Sequence, residues 1–251
     1  MRAMILAAGL GTRLRPLTEN RPKALVEIAG RTLLEITLAR LRGAGIRDVI
    51  INAHHFAGMI VDYLESNQNF EMNIAISREE VLLDTGGGLK KAAYFFIEQS
   101  VGLEEPFLLH NVDVISTIDL ARMVEFHTEH QALATLAVRE RKSSRYLLFQ
   151  EASELCGRRS GQESPNELVR SAKRVQPLAF CGIHVISPRF LTMMSEKGAF
   201  SIITSYLRLA SVGERILGFR ADEYYWRDLG TPENVAQAAE DLQQNVWRTR
   251  Y

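Results

Sequence analysis

Cysteine is scarce in this chain: its 251 residues include two, Cys156 and Cys181. That is too few for a disulfide framework, and no C-x-x-C or Cys/His spacing is present to build a zinc site. A reducing, cytoplasmic setting is the default expectation. A surplus of either charge is also missing, since 30 Lys+Arg are matched by 30 Asp+Glu. This balance argues against a nucleic-acid or acidic-membrane partner held by bulk electrostatics. Long apolar runs are absent as well. Met4 to Ala8 is stopped at once by Gly9, short of a signal-peptide core and far short of the roughly 20 residues that span a bilayer. A soluble protein with no membrane partner is therefore expected. With 17 Gly, 7 Pro, 46% hydrophobic and 24% charged residues, the composition excludes disordered, collagen-like and coiled-coil chains. One α/β domain over residues 1–251 is expected, because such domains commonly reach about 250 residues.

What is present is an alternation of strand-length apolar runs with segments of helical period, the pattern of α/β proteins built from βαβ units. Met4–Ala8, Val49–Ile51, Asn73–Ser77 and Pro106–Leu109 read as strands. Leu33–Leu41, a segment through Ile60 and Leu64, Leu89–Ile97 and Leu120–His130 read as helices. In the second half, Ala132–Val138, Tyr146–Phe149, Leu178–Ile186 and Arg215–Phe219 read as strands, and Ser201–Ala210 and Pro232–Trp247 as helices. The polar stretch Glu151–Arg174 is expected to be a surface loop or hairpin beside the site.

The first strand runs into Leu6-Ala7-Ala8-Gly9-Leu10-Gly11-Thr12-Arg13-Leu14-Arg15-Pro16-Leu17-Thr18, and Pro22-Lys23 follows. Glycines there let backbone N–H groups approach a phosphate, and Arg13 and Lys23 add charge-assisted donors. The segment is not a Rossmann fingerprint, because Leu14 stands where the third glycine belongs, and no Gly-Lys dipeptide exists to make a P-loop. Phe107 to Asp113 is a buried strand ending in an acid, at the carboxyl end where open α/β sheets bind ligands; a turn or cap residue is the plainer reading of such an acid. Asp84-Thr85-Gly86-Gly87-Gly88 can open a helix whose backbone approaches a flat base and ribose, or can be a flexible turn. His54 and His55 diverge as neighbours, and His127 and His130 are expected to be exposed on a helix; none of them suggests a structural metal.

LAAGLGTRLRPLT followed by PKALVEIAG resembles the nucleotide-binding signature of the sugar-1-phosphate nucleotidyltransferases, and the likeness continues to the C-terminus. Within that family the chain is most similar to the short bacterial group of N-acetylmuramate α-1-phosphate uridylyltransferases and mannose-1-phosphate guanylyltransferases. The resemblance implies a single-domain, Rossmann-like α/β fold with a mixed, mostly parallel central sheet flanked by helices. Residues 1–130 would be mainly the nucleotide-binding half and 131–251 mainly the sugar-phosphate half. It implies Mg²⁺-dependent transfer of a nucleoside monophosphate from an NTP to a sugar 1-phosphate, with release of pyrophosphate. The competing reading is a non-catalytic nucleotide- or NDP-sugar-binding regulatory protein on the same fold. The LAAG form, with Ala8 in place of a glycine, leans towards UTP.

Carried over residue by residue, the resemblance assigns Arg13 and Lys23 to the triphosphate. Leu6, Ala7, Ala8, Gly9, Gly11, Thr12, Gly86 and Gly87 would bind the nucleotide, and Asp113 and Asp228 would bind Mg²⁺. Asp228 lies in Trp226-Arg227-Asp228-Leu229-Gly230-Thr231-Pro232, which resembles the family's W-x-D-x-G-T-P segment. The family usually has glycine before the first metal aspartate, where this chain has Val112. Asn111 and Gly182 resemble sugar-contacting positions. Many relatives place a Glu-Lys-Pro about a dozen residues before that glycine, its lysine on the sugar phosphate. Here the region reads Val169-Arg170-Ser171-Ala172-Lys173-Arg174; the motif is missing, and Lys173, Arg170 or Arg174 is expected to substitute, with Lys173 put first. A homo-oligomer is left open.

Overall fold

The computed structural model describes residues 1–97, 105–151 and 153–247. In chain order these contain β1 (Arg2–Leu6), β2 (Glu27–Ile28), β3 (Arg31–Thr32), α1 (Leu33–Gly43), β4 (Asp48–Ala53), α2 (Ala57–Ser66) and β5 (Asn73–Arg78). Next come α3 (Asp84–Lys91), α4 (Tyr94–Ile97), β6 (Phe107–Asn111), β7 (Val114–Ser116), α5 (Leu120–Glu129), β8 (Ala134–Arg139) and β9 (Arg145–Phe149). The last elements are β10 (Leu155–Ser160), β11 (Glu167–Leu168), β12 (Gln176–Ile186), α6 (Arg189–Thr192), α7 (Ile202–Ser211), β13 (Ile216–Arg220), β14 (Trp226–Asp228) and α8 (Pro232–Gln243).

Ten strands form one mixed sheet ordered β11-β10-β9-β12-β6-β1-β4-β5, with β8 beside β12 and β13 beside β8. The N-terminal part, β6-β1-β4-β5, is parallel throughout. The long β12 runs antiparallel to β6, β8 and β9 and ties the two halves together. Strands buried on both faces must be apolar on both. In β1 the side chains alternate, so that Ala3 and Ile5 join one hydrophobic core and Met4 the other. The first core packs under α1, α2 and α8; the second holds Phe96, Phe107, Phe190 and Tyr206 between the sheet and α7.

Helix starts follow their capping residues. Thr32 accepts from Glu35 N–H at 3.0 Å, Asp119 from Arg122 N–H at 3.0 Å and Thr231 from Asn234 N–H at 3.4 Å, with Pro232 in the first turn. Two elements differ from the sequence expectation, and the 151–174 stretch takes the second of the two forms expected for it. The helix read as 89–97 starts at Asp84 and takes the three glycines into its own first turns, because the missing Cβ atoms admit neighbouring chain at close range. The 151–174 stretch forms a hairpin, with β10 and β11 paired antiparallel. The last helix ends at Gln243, and Trp247 folds back to donate from its indole Nε1 to Ala238 O at 3.0 Å. Among the described residues no helix is long and apolar enough to cross a membrane.

Candidate active site

The turn after β1 opens a cavity of about 380 Å³ at the carboxyl ends of the parallel strands, lined by Leu6, Ala7, Ala8, Gly9, Lys23, Asn52, Asp84, Thr85, Asn111 and Asp113 among others. The turn is held from behind. Asn52, at the end of β4, accepts from Ala7 N–H at 2.8 Å and donates to Glu79 Oε1 at 2.7 Å, and Glu79 Oε2 accepts from Leu83 N–H at 2.9 Å. Gly11 adopts φ +64°, and its carbonyl accepts from Thr18 Oγ1 at 2.8 Å and Leu14 N–H at 2.8 Å. Among the described residues, the backbone N–H groups of Ala8, Gly9, Leu10 and Gly11 donate to no protein acceptor. Unpaired amides in succession are what an anion needs. Gly9 faces open space, with no atom within 4 Å of where a side chain would start.

Lys23, buried in the turn after Pro22, makes an ion pair with Asp113. Asp113 precedes β7, and β7 pairs with β14 so that Val114 lies opposite Asp228. Leu229 N–H donates to Asp113 O at 2.8 Å. This two-stranded ladder, outside the main sheet, therefore brings the backbone at Asp113 next to that at Asp228 and Leu229 from positions 115 residues apart (228 − 113), with Asp113 on the first cavity and Asp228 on a second. Val112, in the place of the usual glycine, turns into the core at 3% exposure and leaves Asp113 at the cavity. Asp228 Oδ1 accepts from Gly230 N–H at 2.7 Å. The second oxygens, Asp113 Oδ1 and Asp228 Oδ2, carry no protein hydrogen bond among the described residues. No group of three or more His, Cys, Asp or Glu capable of holding a metal exists among the described residues. Two hard carboxylates with free oxygens suit Mg²⁺, which takes one or two protein carboxylates and completes its shell with phosphate oxygens and water.

Asn111 also lines a second, wider cavity of about 890 Å³ that continues past Gly182 to Arg13, Trp226 and Asp228. Gly182 sits at φ +76°, where a Cβ would meet Val114 Cγ2 at 2.9 Å and Asn111 Nδ2 at 3.0 Å; glycine lets β12 close on Asn111. The wall opposite is the β8–β9 turn, Arg141-Lys142-Ser143-Ser144-Arg145. Sequence reasoning passed over this turn, since a run of charges between two strands has the look of a solvated loop. Arg141 guanidinium lies 4.4 Å from the Trp226 ring centroid and donates to Phe180 O at 3.1 Å. Burial lowers its pKa, with the Cys181 thiol and the Asp228 carboxylate opposing; the group remains a cation. Burial pushes the Cys181 thiol up to about 12, against the pull of Arg141 and Arg139, so it is an inert wall.

The structure thus brings Leu6, Ala7, Ala8, Gly9, Lys23, Asn111 and Asp113 into the first cavity, and Asn111, Arg13, Gly182 and Asp228 into the second. Gly11 shapes the turn, Thr12 and Arg15 are exposed, and none of the three lines either cavity. Gly86 and Gly87 need correction as nucleotide ligands. Both are buried inside α3 with their N–H groups on Phe200 O, at 2.9 and 3.3 Å. A Cβ on Gly86 would stand 2.3 Å from the Phe200 ring, and one on Gly87 2.6 Å from Gly198 O. These glycines serve packing, and Asp84 and Thr85 reach the cavity instead. Lys173 is corrected too: it is exposed on the stretch leading into β12 and lines neither cavity. His127 is buried rather than exposed, bonded through Nδ1 to Thr135 Oγ1 and through Nε2 to Ser187 Oγ, each at 3.0 Å.

The nucleotidyl transferase family model matches residues 2–245. N-acetylmuramate alpha-1-phosphate uridylyltransferase of Caulobacter vibrioides is 35% identical over 238 residues, 92% of each chain. Mannose-1-phosphate guanyltransferase of Yarrowia lipolytica is 28% identical over 93% of this chain, which spans 62% of that longer enzyme. Among solved structures, a candidate glucose-1-phosphate thymidylyltransferase from Bacillus anthracis superposes with a TM-score of 0.80 at 18% identity, over 99% of this chain and 97% of that one. UDP-glucose pyrophosphorylase complexed with UDP-glucose superposes with a TM-score of 0.77 at 19% identity, over 97% of this chain and 98% of that one. At such identities the structures establish the shared fold, and the family match together with the 35% relative establishes the rest: the chain belongs to the nucleotidyl transferase family and is a sugar-1-phosphate nucleotidyltransferase.

Proposed function

We propose that the chain transfers the uridylyl group of UTP to a sugar 1-phosphate in a Mg²⁺-dependent reaction that releases pyrophosphate, with N-acetylmuramate α-1-phosphate as the acceptor. The base and acceptor rest on the likeness to the Caulobacter enzyme along nearly the whole chain. The observation that carries the chemistry is the run of four unpaired amides from Ala8 to Gly11, whose first two residues line one cavity with the Lys23–Asp113 pair, with Asn111 shared by the two cavities.

A sugar phosphate has its second pKa near 6 and arrives already ionised at neutral pH, so no side chain must remove a proton. The obstacle is bringing two phosphate anions together in line with the departing pyrophosphate, which makes catalysis a matter of positioning and charge neutralisation. The turn amides, Lys23 and Arg13 hold the triphosphate in this arrangement, and Asn111 and Gly182 bound the acceptor. Arg13 is suited to the leaving group, being exposed at the cavity mouth with no carboxylate partner among the described residues. Asp113 and Asp228 would hold the divalent ion, which when bound supplies neutralising charge to the phosphate oxygens. Lys23, paired to Asp113 in the structure, holds that carboxylate in place.

The test is pyrophosphate release from each of the four NTPs against the 1-phosphates of N-acetylmuramate, glucose, mannose and N-acetylglucosamine, with and without excess EDTA. UTP with N-acetylmuramate α-1-phosphate is expected to give the highest kcat/KM, with activity abolished by EDTA. A preference for GTP would overturn the base, and undiminished turnover in EDTA would overturn the metal.

A further inference from the structure

The second cavity is lined by Arg13, Arg141, Lys142, Arg145 and Arg227 against a single carboxylate, Asp228. Not all of this charge is available. Arg227 is committed to Asp241, its Nη2 lying 2.7 Å from Oδ2, where the Tyr225 hydroxyl also donates at 2.7 Å. Arg13 stands at the border with the nucleotide turn, beside Gly230. Lys142 and Arg145 are exposed, with no ion pair among the described residues to fix their side chains.

Arg141 is different in kind. Its guanidinium is clamped over the Trp226 ring at 4.4 Å, and that ring is itself fixed by an Nε1–H bond to Cys181 O at 2.8 Å. One nitrogen, Nη2, donates to Phe180 O at 3.1 Å, and Nη1 to Lys142 O at 3.3 Å. No carboxylate lies within ion-pair distance of it among the described residues. A guanidinium held on an aromatic face beside the strand that carries Gly182, half-buried and with no carboxylate in ion-pair distance among the described residues, has the chemistry to bind an anion. Its cost of ordering is met in the free protein by the stack and the two carbonyl bonds, so little remains to be lost on binding.

We infer that Arg141, on the β8–β9 turn, anchors the phosphate of the sugar 1-phosphate. The assignment rests on the transfer reaction proposed above. It also explains how Lys173 can lie exposed outside the cavity: the charge it was expected to provide comes from the opposite wall.

The experiment uses the full chain with Arg141→Gln, which keeps a planar amide against Trp226 and removes the charge, and Arg141→Lys, which keeps the charge and removes the fork. Arg141→Gln is expected to raise the KM for the sugar 1-phosphate at least about thirtyfold while Kd for UTP, by calorimetry, stays within about twofold; Arg141→Lys should fall between. Binding of N-acetylmuramate, glucose and mannose 1-phosphates in the presence of saturating α,β-imido-UTP gives a second readout that needs no turnover. Binding by the wild type that weakens at least tenfold in Arg141→Gln supports the anchor. Equal binding by both, no binding by the wild type, or a loss of UTP affinity in parallel with the sugar phosphate would overturn it. A wild type that binds a sugar 1-phosphate through Arg141 yet releases no pyrophosphate with any NTP would overturn the proposed reaction and leave the anchor standing.

Discussion

Gly230 offers a test of how closely Asp228 and Arg13, the proposed metal aspartate and leaving-group arginine, are set. A methyl group at this position would stand 2.6 Å from Asp228 Oδ1 and 2.9 Å from Arg13 Nη2. Ordinary contact for such a carbon begins near 3.4 Å, so Gly230→Ala requires the carboxylate to retreat by about 0.8 Å and the guanidinium by about 0.5 Å. It also disturbs the Gly230 N–H bond to Asp228 Oδ1, 2.7 Å in the structure. Both obstacles are side-chain ends at the cavity, free to move towards solvent, so the fold should lose less than about 1 kcal/mol. Catalysis by alignment is far less tolerant, and a displacement approaching 1 Å costs up to about 10²-fold. We expect kcat for pyrophosphate release to fall about 10- to 100-fold in Gly230→Ala, with Tm within about 2 °C of wild type. Gly58→Ala provides the comparison: it lies in α2 with nothing within 4 Å of the added carbon, and should leave kcat unchanged and stability equal or slightly higher. Wild-type kcat in Gly230→Ala, or a loss of activity matched by a large drop in Tm, would refute the reasoning.

Replacing either aspartate, Asp113→Asn or Asp228→Asn, should lower kcat at least about 10²-fold in saturating Mg²⁺, with little change in Tm for Asp228→Asn and a lower Tm for Asp113→Asn, which leaves the buried Lys23 ammonium without its carboxylate; full activity of both would remove them from the proposed metal site. Gly86→Ala should destabilise by about 1–3 kcal/mol in urea melts through collision with Phe200, with KM for UTP preserved in the folded fraction; a selective rise in that KM would restore the nucleotide-contact role. Burial lowers the pKa of His110 to about 3, of His127 to about 4 and of His184 to about 3, with the neighbouring Arg40 adding to the shift at His110. The unfolded chain therefore binds more protons below about pH 6.5, and stability present at pH 7 is lost as pH falls, by about 1.4 kcal/mol per unit for each histidine. Urea midpoints between pH 7 and 5 should show this fall, with a shallower slope in His127→Gln; an unchanged slope would exclude that histidine as a contributor.

The parallel half of the fold was legible because its strands are buried on both faces and its helices carry their caps in sequence, as in Thr32-x-x-Glu35. The turn after β1 was legible as a candidate phosphate loop for a related reason, since glycines, cations and a preceding strand are contiguous there. The nearness of Asp113 to Asp228 along the backbone was not legible, because it depends on β7 and β14, two three-residue strands with too few residues to show periodicity. Arg141 was hidden because its partner Trp226 is 85 positions away (226 − 141). The three glycines of α3 misled because glycine serves equally for a ligand and for a neighbouring main chain, and only the position of Phe200 separates the two. His127 misled because its buried hydroxyl partners, Thr135 and Ser187, lie on other segments of the chain.

The nucleotide turn leaves β1, Asn111 ends β6 and Gly182 interrupts β12, and these are three successive strands of one sheet. Neighbouring strands are held about 4.8 Å apart by their hydrogen bonds. On the proposed reaction the sheet would act as a ruler, with the donor at one mark, the acceptor two marks away and the shared asparagine between them. Substitutions that loosen the helices or the β10–β11 hairpin can change how quickly substrates enter and products leave, but the spacing between attacking and departing groups is set by backbone geometry that no side-chain change in those elements rewrites.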